Sequence, residues 1–475
     1  MFLRRFYEEH LAQASYLIGC QASGEAVVVD ANRDAEQYIA AAAAEGLRIT
    51  HVTETHIHAD YVSGSRELAD RTQATLLLSG AGGDEWQYAF AKSAGARLVG
   101  DGTQFTVGAV RFDVLHTPGH TPEHLTFLVT DTAVADRPLA AITGDFVFVG
   151  DVGRPDLLER AAHVAGTMTS SARDLFRSLQ RFKQLPDYLQ LWPGHGAGSA
   201  CGKALGAMPQ STLGYERLFN WGLAETDEQR FVATVLEGQP EPPRYFAAMK
   251  RINREGPVVL GGLPHPERLG AARLRVALEA GAIVIDTRHA ADFAAGHVPG
   301  SINIPLNRSF ATWAGSLLPL DQPCHLLVDD DDAPILAARA ARALVLIGFD
   351  HIGGYFGAEA IEEWHAAGGA IETVPSLTAS EVQSRVAAGT LSVIDVRNDH
   401  EWHAGHLHGA QWIPLAALPQ RLDTLEENGP VVLHCQGGTR SAIAASLLLA
   451  AGRKNVSNLA GGFTEWNAAG LPVER

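Results

Sequence analysis

The carboxyl-terminal part of the chain contains an internal repeat, and this repeat constrains the fold more than any other feature. The segment IVIDTRHAADFAAGHVPGSINIPL begins at Ile283, and SVIDVRNDHEWHAGHLHGAQWIPL begins at Ser392. Residues of the first copy recur 109 positions later in six pairs: Asp286/Asp395, Arg288/Arg397, Gly296/Gly405, His297/His406, Gly300/Gly409 and Pro305/Pro414. Each copy continues into a short apolar run and an Ala/Leu-rich stretch. Strands that alternate with helices predict a parallel α/β sheet in each copy.

The chain has 475 residues, which exceeds the ~250–300 residues at which a single hydrophobic core stops growing. With 46% hydrophobic residues its composition is that of a folded protein, so disorder is excluded as its main state. A proline-rich stretch with no sustained period precedes the repeat and predicts a linker. We therefore predict a first domain over 1–245, a linker over 246–270, and two repeat domains over 271–372 and 373–475.

Charge and hydropathy exclude two classes of partner. The formal net charge is -17, which repels nucleic acid phosphates and anionic lipid. No segment reaches the ~18–20 apolar residues of a membrane span, and the amino terminus lacks the apolar stretch of a signal peptide. The four cysteines form no C-x-x-C pair, so no disulfide framework is indicated. These features predict a cytoplasmic protein.

Four loops of the first domain carry histidine and aspartate. They read T-H-I-H-A-D-Y at 55–61, T-P-G-H-T at 117–121, T-G-D at 143–145 and W-P-G-H-G at 192–196, and most follow short β-branched runs. A single loop histidine is more often a surface hydrogen-bonding residue, but the set as a whole indicates a divalent metal. Two histidines with one carboxylate leave coordination positions free for substrate and O2.

The order H-x-H-x-D, T-P-G-H-T, T-G-D and P-G-H resembles the metallo-β-lactamase superfamily. The resemblance implies an α/β multidomain protein whose first domain is an αββα sandwich, with the metal at one sheet edge. Hydrolytic members with two zinc ions carry H-x-H-x-D-H, whereas this chain has Tyr61 at the last position. A phenol with a pKa of about 10 is a poor replacement for an imidazole ligand, so the motif argues against a binuclear hydrolase.

The chain is more similar to the persulfide dioxygenases of that superfamily. This resemblance implies one mononuclear Fe(II), with zinc less expected, held by His56, His120 and Asp145. It leaves a second group of residues to orient the ligands or contact the substrate: His58, Asp60, Tyr61, Arg154, His195, Ser199 and Lys203. Ser199 and Lys203 are expected to meet an anionic thiol substrate, and Cys201 is interpreted as structural.

The second repeat contains a cysteine where a strand meets a helix. The apolar run VVLH leads into Cys435, followed by the loop residues Gln436, Gly437, Gly438, Thr439, Arg440 and Ser441. A glycine-rich turn at a helix amino terminus points backbone N–H groups inward and favours an anion. The helix dipole and Arg440 favour the thiolate of Cys435. The loop therefore predicts a reactive cysteine rather than a core residue.

The loop C-Q-G-G-T-R-S resembles the rhodanese family, whose cysteine carries a persulfide. It has the six-residue length of rhodaneses rather than the longer loop of related phosphatases, so the resemblance implies sulfur transfer. Matching the strand HLLV of the first repeat to VVLH places Val328–Pro334, which read VDDDDAP, against this loop. Without a cysteine there, 271–372 is predicted to be an inactive rhodanese-like domain. Cation binding by Asp329–Asp332 is the alternative.

These resemblances together imply a persulfide dioxygenase fused to a sulfurtransferase. The expected partners are a low-molecular-weight thiol persulfide, O2, and sulfite or thiosulfate; the resemblance is also compatible with a homo-oligomer. The sequence leaves open the thiol and the direction of the rhodanese reaction. One alternative is a zinc-dependent thioester hydrolase of the glyoxalase II type fused to a sulfurtransferase. Another is a sulfur carrier or redox sensor without dioxygenase activity.

Overall fold

The structure is a computed structural model that describes residues 1–160, 166–203, 205–239, 241–425 and 429–475. Contacts divide the chain into two units, Met1–Leu263 with Val345–Gly348 and Pro264–Leu344 with Phe349–Arg475. Each unit is built from α-helices and β-sheets. No helix in the described part of the chain is both long enough and apolar enough to cross a membrane.

Two six-stranded sheets form the centre of the first unit. The first sheet follows chain order: β1 (Phe2–Glu8), β2 (Gln13–Cys20), β3 (Glu25–Val29), β4 (Arg48–Thr53), β5 (Thr75–Ser79) and β6 (Arg97–Val99). The second comprises β7 (Gln104–Val107), β8 (Val110–His116), β9 (Leu125–Asp131), β10 (Ala140–Gly144), β11 (Gln190–Pro193) and β12 (Ser211–Thr212), again with consecutive strands adjacent. Strands β10 and β11 are parallel, so their carboxyl ends lie at the same edge of the sheet.

Helices cover the outer faces of both sheets. The helices of this unit are α1 (Ala35–Ala44), α2 (Ser65–Thr72), α3 (Leu157–Arg160), α4 (Met168–Phe182), α5 (Leu213–Phe219), α6 (Trp221–Ala224), α7 (Glu228–Leu236) and α8 (Phe246–Glu255). Residues of α1 and α2 pack on the first sheet, and residues of α4 and α7 pack on the second. The four layers confirm the predicted αββα sandwich.

Strand β2 shows how the layers form. All its residues are buried, and successive side chains of a strand point to opposite faces. Tyr16 and Ile18 enter the apolar core between the two sheets, where they join Phe127. Leu17 joins the core under α1, which includes Tyr38. Both faces of β2 are therefore covered, which explains its apolar character.

The second unit contains both copies of the repeat. The first copy comprises α9 (Ala271–Glu279), β13 (Ile283–Asp286), α10 (Ala290–Ala295), β14 (Ile302–Asn303), α11 (Phe310–Leu317), β15 (Cys324–Val328), α12 (Ala333–Leu346), β16 (Ile352–Gly357) and α13 (Glu359–Ala366). The second comprises β17 (Ser376–Leu377), α14 (Ala379–Ala387), β18 (Ser392–Asp395), α15 (Asp399–Ala404), β19 (His406–Leu407), β20 (Gln411–Trp412), β21 (Val431–His434), α16 (Thr439–Ala450), β22 (Val456–Leu459), α17 (Gly462–Ala468) and β23 (Val473–Glu474).

Each copy has the predicted parallel sheet. The strand orders are β14-β13-β15-β16 and β17-β22-β21-β18-β20, and all neighbours within these sheets are parallel. Strands β19 and β23 form a separate antiparallel pair.

The repeated Asp and Arg residues stabilise both copies in the same way. Asp395 is buried and bound by two nitrogens of Arg397, which also donates to the carbonyl of Gly405. Asp286, Arg288 and Gly296 form the same contacts in the first copy. Removal of one partner from such a pair would leave a buried charge, at a cost of roughly 3–5 kcal/mol. The D-x-R repeat is therefore structural.

The strand registers give the residue of the first copy that corresponds to Cys435. Cys324 pairs with Ile283 and Val431 pairs with Ser392, and these partners begin the two repeats. Counting along the strands from these pairs puts Val328 at the position of Cys435, as the match of VDDDDAP to the cysteine loop also does. The first copy thus has a buried valine at this position.

Much of the predicted linker 246–270 is folded. Helix α8 occupies its first part, and Arg268 forms a bridge with Tyr355 of β16 near its end. The sequence analysis did not predict α8 because this ten-residue helix is short and rich in charged residues. The boundary between the units falls between Leu263 and Pro264.

Helix α8 supports the loop that follows β4. Asn253 is buried and donates from its amide nitrogen to the carbonyls of His58 and Tyr61, at 2.8 and 2.7 Å. Its amide oxygen accepts the backbone N–H of Ser63 at 2.8 Å. One side chain thus satisfies three buried backbone groups of this loop.

We predict that Asn253→Ala lowers the free energy of unfolding of this unit by roughly 2–4 kcal/mol, because three buried polar groups lose their partner. The first urea-induced transition of the full chain measures this change. Arg251→Ala is the matched control, since Arg251 lies on the same helix with an exposed side chain. Equal stability of the two variants would contradict this role of Asn253.

Candidate metal centre and cysteine loop

The structure brings His56, His120 and Asp145 together. His56 lies after β4, His120 lies between β8 and β9, and Asp145 directly follows β10. The Nε2 atoms of His56 and His120 lie 3.9 and 3.5 Å from Oδ2 of Asp145. All three residues are buried, and their potential ligand atoms lie within 4.8 Å of one another. Two imidazoles and one carboxylate at these distances form a candidate metal-binding triad.

Hydrogen bonds at Nδ1 fix the orientation of both imidazoles. Nδ1 of His120 lies 3.0 Å from the carbonyl oxygen of Arg154, which can only accept, so Nδ1 carries the hydrogen. Nδ1 of His56 lies 2.9 Å from Oγ1 of Thr55, whose hydroxyl donates to Asp30. Each Nε2 therefore presents its lone pair to Asp145, as metal-binding histidines require.

The carboxylate of Asp145 is the central group of the triad. Both its oxygens are buried and have no hydrogen-bond partner among the described residues. Burial by itself raises the pKa of this group, but the nearby imidazoles of His195, His56 and His120 hold it well below its usual range. A buried carboxylate without hydrogen bonds is unfavourable, and a divalent ion would satisfy it. These residues therefore fit a metal.

Two glycines allow the backbone to approach this carboxylate closely. Gly144 has φ +48°, and a Cβ there would lie 2.5 Å from Oγ1 of Thr55. A Cβ on Gly194 would lie 2.8 Å from Oδ1 of Asp145. Larger residues would collide with the site, which explains the glycines of the T-G-D and P-G-H motifs.

His58 and Tyr61 are directed toward Asp30. Nε2 of His58 lies 3.1 Å from Oδ1 of Asp30, and the Tyr61 hydroxyl donates to the Asp30 carbonyl. Burial lowers the pKa of His58, but the Asp30 carboxylate more than offsets this effect and raises it to about 9. Asp30 itself has φ +57°. The structure thus places His58 beside the triad, with its Nε2 turned to another carboxylate.

His195 and Asp60 lie on the other side of Asp145. Nε2 of His195 is 3.4 Å from Oδ1 of Asp145 and 3.3 Å from Oδ2 of Asp60. Nδ1 of His195 donates to the carbonyl of Ala12 at 3.0 Å, so its Nε2 faces these carboxylates. His195 therefore lies between Asp60 and the triad, and a role of either residue in orienting ligands or contacting the substrate stays a prediction.

Arg154, Ser199 and Lys203 make their hydrogen bonds within the protein. Arg154 is buried, binds Asp156 through two nitrogens at 2.8 and 2.7 Å, and donates to the Ala200 carbonyl. Oγ of Ser199 accepts the N–H of Cys201, and Nζ of Lys203 donates to the carbonyl of Thr234. The contacts observed for these residues hold the loop around Cys201. Their role in substrate binding stays a prediction.

The sequence analysis missed two residues that support the triad. Asp30 accepts the N–H of Thr55 at 2.6 Å, and Nε2 of His124 accepts the N–H of Asp145 at 3.1 Å. Burial holds the pKa of His124 well below its usual value, so its ring is neutral. Both residues could have been found from the sequence. Asp30 directly follows an apolar run, and His124 is the last residue of the motif T-P-G-H-T-P-E-H.

In the second unit, Cys435 lies at the carboxyl end of β21 and α16 begins at Thr439. Its Sγ accepts the N–H of Gly438 at 3.1 Å and lies 3.6 Å from the Ser441 hydroxyl. Gly438 has φ +99°, which favours glycine. The loop thus surrounds the sulfur with hydrogen-bond donors.

Arg440 is held beside this sulfur by Glu401. Two guanidinium nitrogens of Arg440 donate to the two carboxylate oxygens of Glu401, each at 2.7 Å. Glu401 also accepts the backbone N–H of Asn398 in the capping box of α15. This two-point contact fixes the plane of the guanidinium.

The corresponding loop of the first copy differs in structure and charge. Asp330 accepts the N–H of Glu359 at 3.0 Å and faces Arg268 at 3.5 Å. Asp329 lines a cavity of about 350 Å³ with Thr287, His289 and Asn307. The first copy therefore has no thiol at the position of Cys435, and its inactivity stays a prediction.

Family comparisons agree with both sites. Residues 10–195 match the metallo-beta-lactamase superfamily. Residues 271–367 and 378–469 each match the rhodanese-like domain. The matches cover the triad in the first case and the cysteine loop in the second.

Individual relatives support the same conclusion. A metallo-beta-lactamase from Staphylococcus aureus subsp. aureus COL has a crystal structure that matches with a TM-score of 0.66 and 41% identity, covering 75% of this chain and 98% of that one. A probable metallo-hydrolase of Burkholderia pseudomallei is 31% identical over 41% of this chain and 72% of its own length. The mitochondrial persulfide dioxygenase ETHE1 of Bos taurus is 29% identical over 41% of this chain and 68% of its own length. The chain therefore belongs to the metallo-β-lactamase superfamily, in which it joins a domain similar to persulfide dioxygenases to two rhodanese-like domains.

Proposed function

We propose that the first domain is a persulfide dioxygenase and the last domain a sulfurtransferase. The observation that carries this proposal is the convergence of His56, His120 and Asp145 while Tyr61 is bound to Asp30. Two imidazoles and one carboxylate form the ligand set typical of non-haem iron oxygenases. The similarity to a named persulfide dioxygenase supports the same substrate class.

The triad would hold one Fe(II) ion, which supplies the redox chemistry by which O2 reacts with sulfane sulfur. The overall reaction balances as RSSH + O2 + H2O → RSH + H2SO3, in which the S–S bond breaks and the terminal sulfur leaves as sulfite. Burial lowers the pKa of both His56 and His120. Both rings are therefore neutral near pH 7 and bind a metal without first losing a proton.

Cys435 would carry sulfane sulfur between small molecules. Its thiolate attacks the terminal sulfur of a persulfide, a new S–S bond forms on the enzyme, and the thiolate RS⁻ leaves. Sulfite then attacks the outer sulfur, which releases thiosulfate and restores the Cys435 thiolate. The Gly438 N–H, the Ser441 hydroxyl and Arg440 stabilise negative charge on the transferred sulfur.

The first experiment is O2 uptake by anaerobically purified, Fe(II)-loaded protein after addition of glutathione persulfide, with sulfite and thiosulfate quantified. The proposal predicts rapid uptake and the appearance of sulfite. Absence of uptake with glutathione and coenzyme A persulfides, together with thioester hydrolysis by the zinc-loaded protein, would instead support the hydrolase alternative.

We predict that His120→Ala abolishes O2 uptake while thiosulfate sulfurtransferase activity persists, because the two sites use different residues. Cys435→Ser should have the opposite effect, since serine cannot form a persulfide. Each variant serves as the folding control of the other. Sulfurtransferase activity in the Cys435→Ser protein would show that another residue is the nucleophile.

We predict that Glu401→Gln lowers kcat/KM for thiosulfate about 10- to 100-fold, because Arg440 loses a charged two-point contact worth roughly 1.5–3 kcal/mol. Glu401 is a positioning residue, and salt screens its ion pair with Arg440, so the difference in kcat/KM between wild type and variant should shrink at high salt. Glu474→Gln is the matched control, because this exposed carboxylate contacts His408 and His406 instead. An equal decrease in both variants would contradict the role of Glu401.

A further inference from the structure

The second repeat has a cleft at the edge of its sheet opposite the cysteine loop. Pro430 and Val456 line this cleft at the amino ends of β21 and β22, whereas Cys435 follows the carboxyl end of β21. A parallel strand rises about 3.3 Å per residue, which separates Pro430 from Cys435 by roughly 16 Å. The cleft is therefore distinct from the sulfur site.

The cleft consists of two adjoining cavities. The larger has a volume of about 380 Å³ and five apolar residues in its wall: Pro375, Leu377, Pro430, Leu449 and Val456. The smaller, of about 300 Å³, lies along α14. Leu377 and Arg385 line both cavities, which therefore meet at these two side chains. The larger volume is within the range of roughly 300–1,000 Å³ that is typical of small-molecule pockets.

Arg385 supplies a positive charge that the protein itself leaves available. Its guanidinium forms no hydrogen bond or ion pair within the described part of the chain. Glu381, one turn earlier on α14, is the acid in the wall of the smaller cavity, but its carboxylate accepts the N–H and the hydroxyl of Thr378. The planar guanidinium of arginine can donate two parallel hydrogen bonds to a carboxylate.

Further polar groups in the larger cavity are available to a ligand. Thr373, Asn455 and Ser457 line it, and their side chains form no hydrogen bond among the residues that the structure describes. The loop that carries Asn455 also contains Arg453 and Lys454, and Nε of Arg453 is buried without a described partner. In a chain with a net charge of -17, such a local group of cations attracts anions.

We propose that this cleft binds a small organic carboxylate. The carboxylate pairs with Arg385, and the apolar part of the ligand packs against Leu377, Leu449 and Val456. An inorganic oxyanion would leave the apolar wall uncovered, whereas a neutral apolar ligand would leave the guanidinium without a partner. Neither the triad nor Cys435 enters this inference, so it does not depend on the proposed function.

The test is saturation-transfer NMR of the full-length protein with benzoate and with benzamide, which is neutral and has the same shape. We expect saturable binding of benzoate and about 10-fold or weaker binding of benzamide, since a hydrogen bond to a charged group changes affinity by roughly 10- to 100-fold. Arg385→Gln should weaken benzoate by the same factor and leave benzamide unchanged. Arg385→Lys, which keeps the charge, should weaken benzoate less.

Arg273→Gln is the matched control and should bind benzoate like the wild type, because this exposed arginine of α9 lines neither cavity. Thiosulfate is added as a competitor, since the donors around Cys435 also favour anions. Benzoate should stay bound in excess thiosulfate. Displacement by thiosulfate, equal affinities for benzoate and benzamide, or unchanged benzoate binding in Arg385→Gln would overturn the proposal, as would the absence of saturable benzoate binding to the wild type.

Discussion

The buried carboxylate of Asp145 is the group on which the architecture of the first domain depends. It is held at the end of β10 by a glycine with positive φ and by the hydrogen bond from its own N–H to His124. Three imidazoles surround it, and none provides it with a well-formed hydrogen bond. Since an isolated buried charge is highly unfavourable, the compensating charge must come from protonated histidines or from a bound cation.

Several elements of the fold position side chains around the Asp145 carboxylate. The loops after β4, β8 and β10 bring His56, His120 and Asp145 from both sheets to one edge of the sandwich. Hydrogen bonds at Nδ1 keep His56, His120 and His195 with Nε2 directed at Asp145. The loop that carries His56 is in turn supported by Asp30 and by Asn253 of α8. The precision of the centre thus depends on residues that do not themselves reach it.

Comparison of the two rhodanese-like copies distinguishes the residues that stabilise the fold from the residues of the cysteine loop. Both retain the buried Asp–Arg pair and the parallel sheet, so both fold in the same way. They differ at one strand end, where Val328 occupies the position of Cys435 and aspartates replace the glycine-rich loop. The fold of the repeat therefore does not depend on the cysteine loop.

The sequence by itself predicted the repeated parallel sheets from their period and the αββα sandwich through its family resemblance. It also pointed to the triad residues and the cysteine loop, because each belongs to a local motif. It did not reveal helix α8 or the contact of Glu401 with Arg440. These features depend on strand register and on contacts between residues distant in the chain. Only the tertiary structure decides such contacts, because packing of whole layers sets which loops meet at a sheet edge.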